Sequence, residues 1–203
     1  MGEGLRYGAL GPNCVHICVD MQRLFGPGYP WAVPWLERIL PQVSAICGHN
    51  PARTVFTRFI PPARPDDARG AWRRYYDKWE AVTRDHIGPE ALDLLPELSR
   101  YAPPAKIIDK SVYSPWLTPA LDQLLSLGQV DTIFLTGGET DICVLATALG
   151  AIDRGFRLIL IKDALCSSSD RTHDELMDLY ASRFDTQIEV FNTDILLANW
   201  REF

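Results

Sequence analysis

The sequence predicts an α/β protein whose strands lie parallel in one sheet, and three observations carry that expectation. Short apolar runs recur along the 203 residues, and segments of helical periodicity stand between them. Alternation of this kind builds βαβ units joined by right-handed crossovers. Hydrophobic residues make up 47% of the chain and charged ones 23%, a globular balance that excludes disorder and coiled coil. At this length roughly 70% of the unfolded surface can be buried, so a core needs no metal or disulfide staple.

Residues 13–20 (NCVHICVD) open the pattern with a nearly continuous apolar run, the mark of a strand covered on both faces. Residues 53–58, 106–109, 131–136, 157–161 and 186–191 repeat it. Residues 39–47 have helical spacing, with Pro41 required to lie in the first turn or to kink the helix. From Thr118-Pro119 to Leu127-Gly128 the chain has a Thr N-cap, a Pro at the first helical position and a terminating Gly. Residues 142–154 are apolar nearly all round, which predicts a buried helix, and residues 170–184 are amphipathic. Residues 59–88 break the rhythm with Pro61, Pro62 and Pro65, then an aromatic-basic cluster of Trp72, Arg73, Arg74, Tyr75, Tyr76 and Trp79. A connection that long is either a lid or binding loop, or a surface helix burying its aromatics against the domain or a second subunit.

Composition narrows the function classes. A net charge of −6 gives no electrostatic support to nucleic-acid binding. No stretch reaches the ~20 apolar residues of a membrane span, and residues 1–13 lack a basic-then-apolar signal pattern. The five cysteines form no C-x-x-C pair and fit a reducing compartment, so a cytoplasmic location is expected.

In open parallel sheets ligands bind beyond the carboxyl ends of the strands. There the first run ends in Asp20, the third in Asp109-Lys110, and the fourth in Thr136-Gly137-Gly138-Glu139-Thr140-Asp141-Ile142-Cys143. A carboxylate, an amine and a thiol thus converge on one edge. A helix beginning near Cys143 would set its sulfur at a helix N-terminus, where dipole and free N–H groups favour thiolate and can hold an oxyanion. Taken alone, a cysteine at a helix start reads as a small core hydrophobe, an aspartate ending a strand as a turn residue, and a lysine there as a solvated cation. Their convergence points to acyl transfer.

The segments V-D-M-Q-R-L-F (19–25), Lys110 and G-G-E-T-D-I-C-V (137–144), with A-L-G-A-I-D-R-G-F (148–156) and I-K-D-A (161–164), resemble the isochorismatase-like cysteine hydrolases. The resemblance runs from about Cys14 to Trp200 and includes nicotinamidases, N-carbamoylsarcosine amidohydrolases and ureidoacrylate and biuret hydrolases. It implies a single domain, a three-layer α/β/α Rossmann-like sandwich with a six-stranded parallel sheet in the order 3-2-1-4-5-6. It also implies Cys143 as nucleophile, Asp20 as proton acceptor and donor, and Lys110 as the group orienting Asp20. A cis peptide at Gly138–Glu139 and an oxyanion hole from the Glu139 and Cys143 amides belong to the same pattern. Lys110 is expected to keep Asp20 ionised and to favour the Cys143 thiolate.

Nicotinamidases place an Asp-x-His after the second strand to bind a divalent ion. Here those positions read Thr57-Arg58-Phe59-Ile60-Pro61, so Phe59 and Pro61 replace ligand types. His16, His49, His86 and His173 show no ligand spacing, and His16 reads as a satisfied core histidine. The expectation is no catalytic metal and no cofactor. Cys14, Cys18, Cys47 and Cys166 read as structural, Thr140 as a brace for the turn and Asp141 as a cap for the helix.

For substrate, Phe25 corresponds to an aromatic wall, Tyr113 and Trp116 offer another, and Arg58 is a candidate for holding an anionic or carbonyl group. Trp72, Arg74, Tyr75 and Trp79 are candidates for closing over the pocket. The reading is a metal-independent cysteine amidohydrolase acting on a small amide or ureido compound. It is expected to form a dimer or tetramer and to bind neither nucleic acid nor membrane. The alternatives are a vinyl-ether hydrolase of the isochorismatase type and a non-catalytic binding member of the family.

Overall fold

In the computed structural model, which describes residues 4–201, six strands form one parallel sheet in the order β3-β2-β1-β4-β5-β6. The first three residues of the polar N-terminal stretch and residues 202–203 lie outside the described residues. The strands are β1 (Cys14–Val19), β2 (Thr54–Phe59), β3 (Lys106–Lys110), β4 (Thr132–Gly138), β5 (Arg157–Cys166) and β6 (Ile188–Phe191). Eight helices flank or link them: α1 (Leu36–His49), α2 (Ala71–Lys78), α3 (Arg84–Ile87), α4 (Pro96–Ser99), α5 (Pro119–Leu127), α6 (Cys143–Asp153), α7 (Asp170–Ser182) and α8 (Thr193–Asn199). Fold class and strand order are as expected.

β1 is apolar apart from His16 because both its faces are covered: Ile17, Cys18 and Val19 are fully buried. It sits between β2 and β4, where Val19 pairs with Thr57 on one side and Gly137 on the other. Strand order reverses there, which opens a crevice at the carboxyl ends. Gly137 has φ +100°, and a Cβ on it would lie 2.1 Å from the Val19 carbonyl oxygen. Only glycine lets β4 approach β1 so closely.

The edges of several elements differ from the sequence expectation. α1 begins at Leu36 rather than near Ile39, so Pro41 falls in its second turn. β5 runs on to Cys166, and a shift in register against β4 lets Leu165 and Cys166 pair with Gly137 and Gly138. That extension brings the Cys166 carbonyl to the turn before Cys143. α6 is not buried all round: Cys143, Val144, Thr147, Ala148 and Ala151 face inward, while Leu149 is 39% exposed. Thr118 stands at the N-cap of α5, yet its hydroxyl donates weakly to the Asp109 carbonyl instead of capping.

Residues 59–88 fold back on the domain. Tyr76 is fully buried, and Trp72, Tyr75 and Trp79 pack against the core. Their rings close around Trp31 and Phe59 at centroid distances of 5.8–6.5 Å. These aromatics therefore pack mainly on the domain itself, with Trp72, Tyr75 and Trp79 half-buried. No helix among the described residues is long and apolar enough to cross a membrane.

Candidate active site

Asp20 follows β1 and turns the chain with φ 52°, a left-handed conformation that aspartate tolerates better than most residues. Its N–H meets the Thr57 carbonyl at 3.2 Å, and the Thr57 hydroxyl donates to Asp20 Oδ1 at 2.6 Å. Lys110, the last residue of β3, donates from Nζ to Asp20 Oδ2 at 2.6 Å, to Cys143 Sγ at 3.3 Å and to the Val112 carbonyl at 3.3 Å. All three ammonium donors are thereby used. Gln22 anchors the chain just beyond: its Oε1 accepts the Phe59 N–H at 2.6 Å, and its Nε2 donates to the Phe59 and Leu92 carbonyls. This amide ties the ends of β1 and β2 together.

Cys143 is the first residue of α6, so its N–H belongs to the first-turn donors that lack an intrahelical acceptor. The turn before it is braced from β5 and α7. The Gly138–Glu139 peptide is cis. The Thr140 N–H and hydroxyl both donate to the Cys166 carbonyl, at 2.8 and 3.1 Å, and Tyr180 donates to the Thr140 carbonyl. Asp141 accepts from the Ser167 and Thr172 hydroxyls instead of capping α6, which has no side-chain cap. Thr140 braces the turn as expected, whereas Asp141 ties it to its neighbours.

Asp20, Lys110 and Cys143 are all buried, at 1%, 3% and 6% exposure. Burial pulls the Lys110 ammonium down, but the Asp20 carboxylate and the Cys143 sulfur outweigh it, and the net shift is upward. Burial, then the Asp20 charge, push the Cys143 thiol well above its usual range against the opposing pull of Lys110. Burial beside Asp20 thus favours the resting thiol, against the pull toward thiolate expected from the helix terminus and Lys110. The helix terminus and one lysine do not offset full desolvation and an adjacent negative charge.

A cavity of about 240 Å³ opens over Cys143, lined by Phe25, Trp31, Phe59, Tyr75, Trp79 and Tyr113 and by Glu139, Ile142 and the exposed Ser168. Of the residues the sequence offers as substrate contacts, Phe25, Tyr75, Trp79 and Tyr113 line this cavity, and Trp116, Arg58 and Trp72 do not. Trp116 is buried under α6, donating to the Thr147 carbonyl at 2.8 Å and packed so closely on Gly150 that a Cβ there would lie 2.1 Å from its ring. Arg58 forms a bidentate pair with Asp109 at 2.8 and 2.9 Å and leans toward Asp93, away from the cavity. Trp72 stands behind the wall, its ring 4.7 Å from that of Tyr113, and faces a separate cavity lined by Pro61, Tyr76 and Lys110. Arg74 is exposed and lines neither cavity. The sequence pattern does not single out Thr57, Gln22, Trp31, Phe59 or the Glu139 side chain for these positions. A polar glutamine three residues past an apolar strand is the one signal that points to any of them.

The residues at the end of β2 do not fit a metal ion beside Cys143. Phe59 offers a ring, with Lys110 Nζ 4.8 Å from its centroid, and Pro61 offers no ligand atom. Among the described residues, the His/Cys/Asp/Glu group with metal-compatible spacing is His16, Cys18 and Cys47, sealed in the core. His16 is already engaged by the hydroxyls of Thr136 at 2.7 Å and Thr54 at 3.3 Å, which satisfies both ring nitrogens.

Comparison with known proteins places this geometry. The model of the isochorismatase domain matches residues 14–190. An uncharacterized isochorismatase family protein of Bacillus subtilis is 30% identical over 107 residues, 50% of this chain and 58% of that protein. The maleamate amidohydrolase of Pseudomonas putida is 26% identical over 160 residues, 76% of this chain and 72% of that one. The matched stretches span little more than half of the first relative and 33% of a secreted effector from Phytophthora sojae. Among solved structures, a cysteine hydrolase from Pseudomonas syringae superposes with a TM-score of 0.80 at 21% identity, covering 98% of both chains. An N-carbamoylsarcosine amidase from Thermoplasma acidophilum gives 0.72 at 22% identity over 90% of this chain and 97% of that chain.

Proposed function

The chain belongs to the isochorismatase family, and from that premise we propose that it is a cysteine amidohydrolase that cleaves a C–N bond of a small amide or ureido compound. The observation that carries this reading is the contact set of Lys110 Nζ, 2.6 Å from Asp20 and 3.3 Å from Cys143, beneath an open cavity. Relatives named as amidohydrolase and amidase support the same bond class.

In this mechanism Cys143 Sγ attacks the carbonyl carbon as its proton passes to Asp20, since the thiol is protonated at rest. Lys110 stays charged and stabilises the sulfur anion as it develops. The carbonyl oxygen takes the electron pair and is held by the N–H groups of Glu139 and Cys143. As the intermediate collapses, Asp20 gives its proton to the departing nitrogen, the C–N bond breaks, and a thioester remains on Cys143. Asp20 then removes a proton from water, hydroxide adds to the thioester carbonyl, and the C–S bond breaks as Asp20 returns the proton to sulfur. No step is routed through a metal, because the β2 end offers no ligands.

A homo-oligomer belongs to the same proposal. With the aromatics of residues 59–88 packed mainly on the domain itself, its support is the exposed Ile107 on the edge strand β3 and Leu117 and Leu127 nearby in the chain. The whole account is tested by ammonia release from a panel of primary amides, ureido acids and nicotinamide, with chelator throughout and Cys143→Ala in parallel. Turnover that survives chelator and disappears in the variant is the expected result. Turnover by Cys143→Ala contradicts it, and silence across the panel favours a binding role.

A further inference from the structure

The walls of the cavity differ in one respect from what a carboxylate-bearing substrate requires. Of the residues that line it, Glu139 alone carries a charged side chain. Lys110 is committed to Asp20 and Arg58 to Asp109, and Lys78 stands over the Trp79 ring, its Nζ 5.6 Å from the centroid, without lining the cavity. Glu139 Oε2 accepts the Ser168 N–H at 2.7 Å, and among the described residues the carboxylate has no Lys or Arg within ion-pair distance. The opposing surface is aromatic: the Trp31 ring lies 5.8 Å from that of Tyr75 and 6.3 Å from that of Trp79. Burial pushes the Tyr75 and Tyr113 phenols up, and the Glu139 charge adds to it at both, while Lys110 opposes it at Tyr113.

We propose that Glu139 and the aromatic walls make this pocket selective for amides whose far end carries an ammonium group, and against amides bearing a carboxylate. This rests on the amide-hydrolase reading above and adds the substrate class to it. The physical grounds are two. Electron-rich ring faces attract a cation, most strongly where water is excluded. A carboxylate entering the same space would meet Glu139 with no cation among the lining residues to pair with it. An ammonium head supplies the counter-charge that Glu139 lacks, while the amide carbonyl at the other end reaches Cys143.

Three matched amides separate the possibilities: 3-(trimethylammonio)propanamide, its uncharged isostere 4,4-dimethylpentanamide, and succinamate, each also prepared one methylene shorter and longer. Ammonia release is expected to give kcat/KM in the order cation, neutral, anion, with each step on the order of tenfold. In Glu139→Gln, which keeps the acceptor for Ser168, the cation-to-neutral ratio is expected to fall toward one. Because the ratio is taken within one protein, it is insensitive to any change in the backbone amide of residue 139. A wild-type ratio at or below one, or a ratio unchanged in Glu139→Gln, overturns the assignment while Cys143-dependent turnover of the neutral amide leaves the hydrolase reading standing. If no amide is turned over, that reading fails, and the charge preference is decided by binding. The three probes are then titrated into Cys143→Ala, following fluorescence from Trp31 and Trp79. The same order of affinity supports the assignment, and its absence overturns it.

Discussion

Two clusters of buried polar and sulfur-bearing side chains hang from the same strand, and they are opposite in character. At the end of β1, Asp20 meets Lys110 and Cys143 beneath an open cavity. In the middle of β1, His16 and Cys18 meet Cys47 from α1, with their ligand atoms all within 4.8 Å of one another and no exposure at all. In the first cluster a carboxylate and an ammonium compensate each other, so Lys110 stays charged despite burial. In the second no counter-charge stands among the described residues, and burial lowers the His16 pKa to about 3. The Cys47 thiol is pushed far up by its hydrogen bond to Cys18 and by burial. Burial alone thus neutralises a group, and a partner of opposite charge is what keeps one ionised. Reactivity needs that partner and a path to substrate, and only the Asp20 end of the strand has both.

Substitutions can break this contrast. The largest effect is expected from Cys143→Ala, which should lower kcat by about 10⁴-fold or more. Cys47→Ala should leave kcat within about threefold and instead cost ~1–2 kcal/mol of stability, as loss of a small buried group does. Equal losses of activity in the two variants would erase the distinction drawn between the clusters.

Next in size is the ion pair. Lys110→Met leaves Asp20 buried without its cation and should destabilise the fold by about 3–5 kcal/mol in urea unfolding. Combining it with Asp20→Asn should restore most of that stability but none of the activity. A double variant no more stable than Lys110→Met would show that the pair does not act as a unit.

The sealed cluster makes a prediction about pH. His16 titrates near 6.5 when unfolded and near 3 when folded, so the unfolded chain binds more protons between those values. Its contribution is full well above pH 6.5 and is lost as pH falls toward 3, by about 2.3 kcal/mol between pH 6.5 and 4.5. The difference in unfolding free energy between wild type and His16→Gln should narrow by that amount between pH 6.5 and 4.5. A difference that stays constant over this window would mean that His16 is not neutral in the fold. The smallest effect belongs to Arg58→Ala. Its pair with Asp109 lies outside the cavity and is half open to water, so KM should be unchanged and stability should fall by about 1 kcal/mol or less.

The same contrast explains which features are legible in the amino-acid sequence. The strands, their alternation with helices and the convergence of Asp20, Lys110 and Cys143 follow from local periodicity and from where each strand stops. The five residues added to β5, by contrast, depend on a register shift against β4 that no local pattern encodes. Chemistry and chain position point Arg58 and Trp116 toward the substrate. Asp109 and Gly150, which hold them elsewhere, are brought to them only by tertiary packing. The upward shift of the Cys143 thiol is likewise hidden, because its cause is burial beside Asp20 rather than sequence neighbourhood. Trp31 becomes a wall only because residues 59–88 fold over it.

The central claim is that acyl transfer passes through Cys143 as a covalent thioester. It is tested most directly by partitioning with hydroxylamine, comparing a primary amide that turns over with an ester of the same acyl group. A common thioester predicts one ratio of hydroxamate to acid from both substrates, independent of the leaving group. A ratio that differs between amide and ester, or amide turnover with no hydroxamate at all, would contradict it.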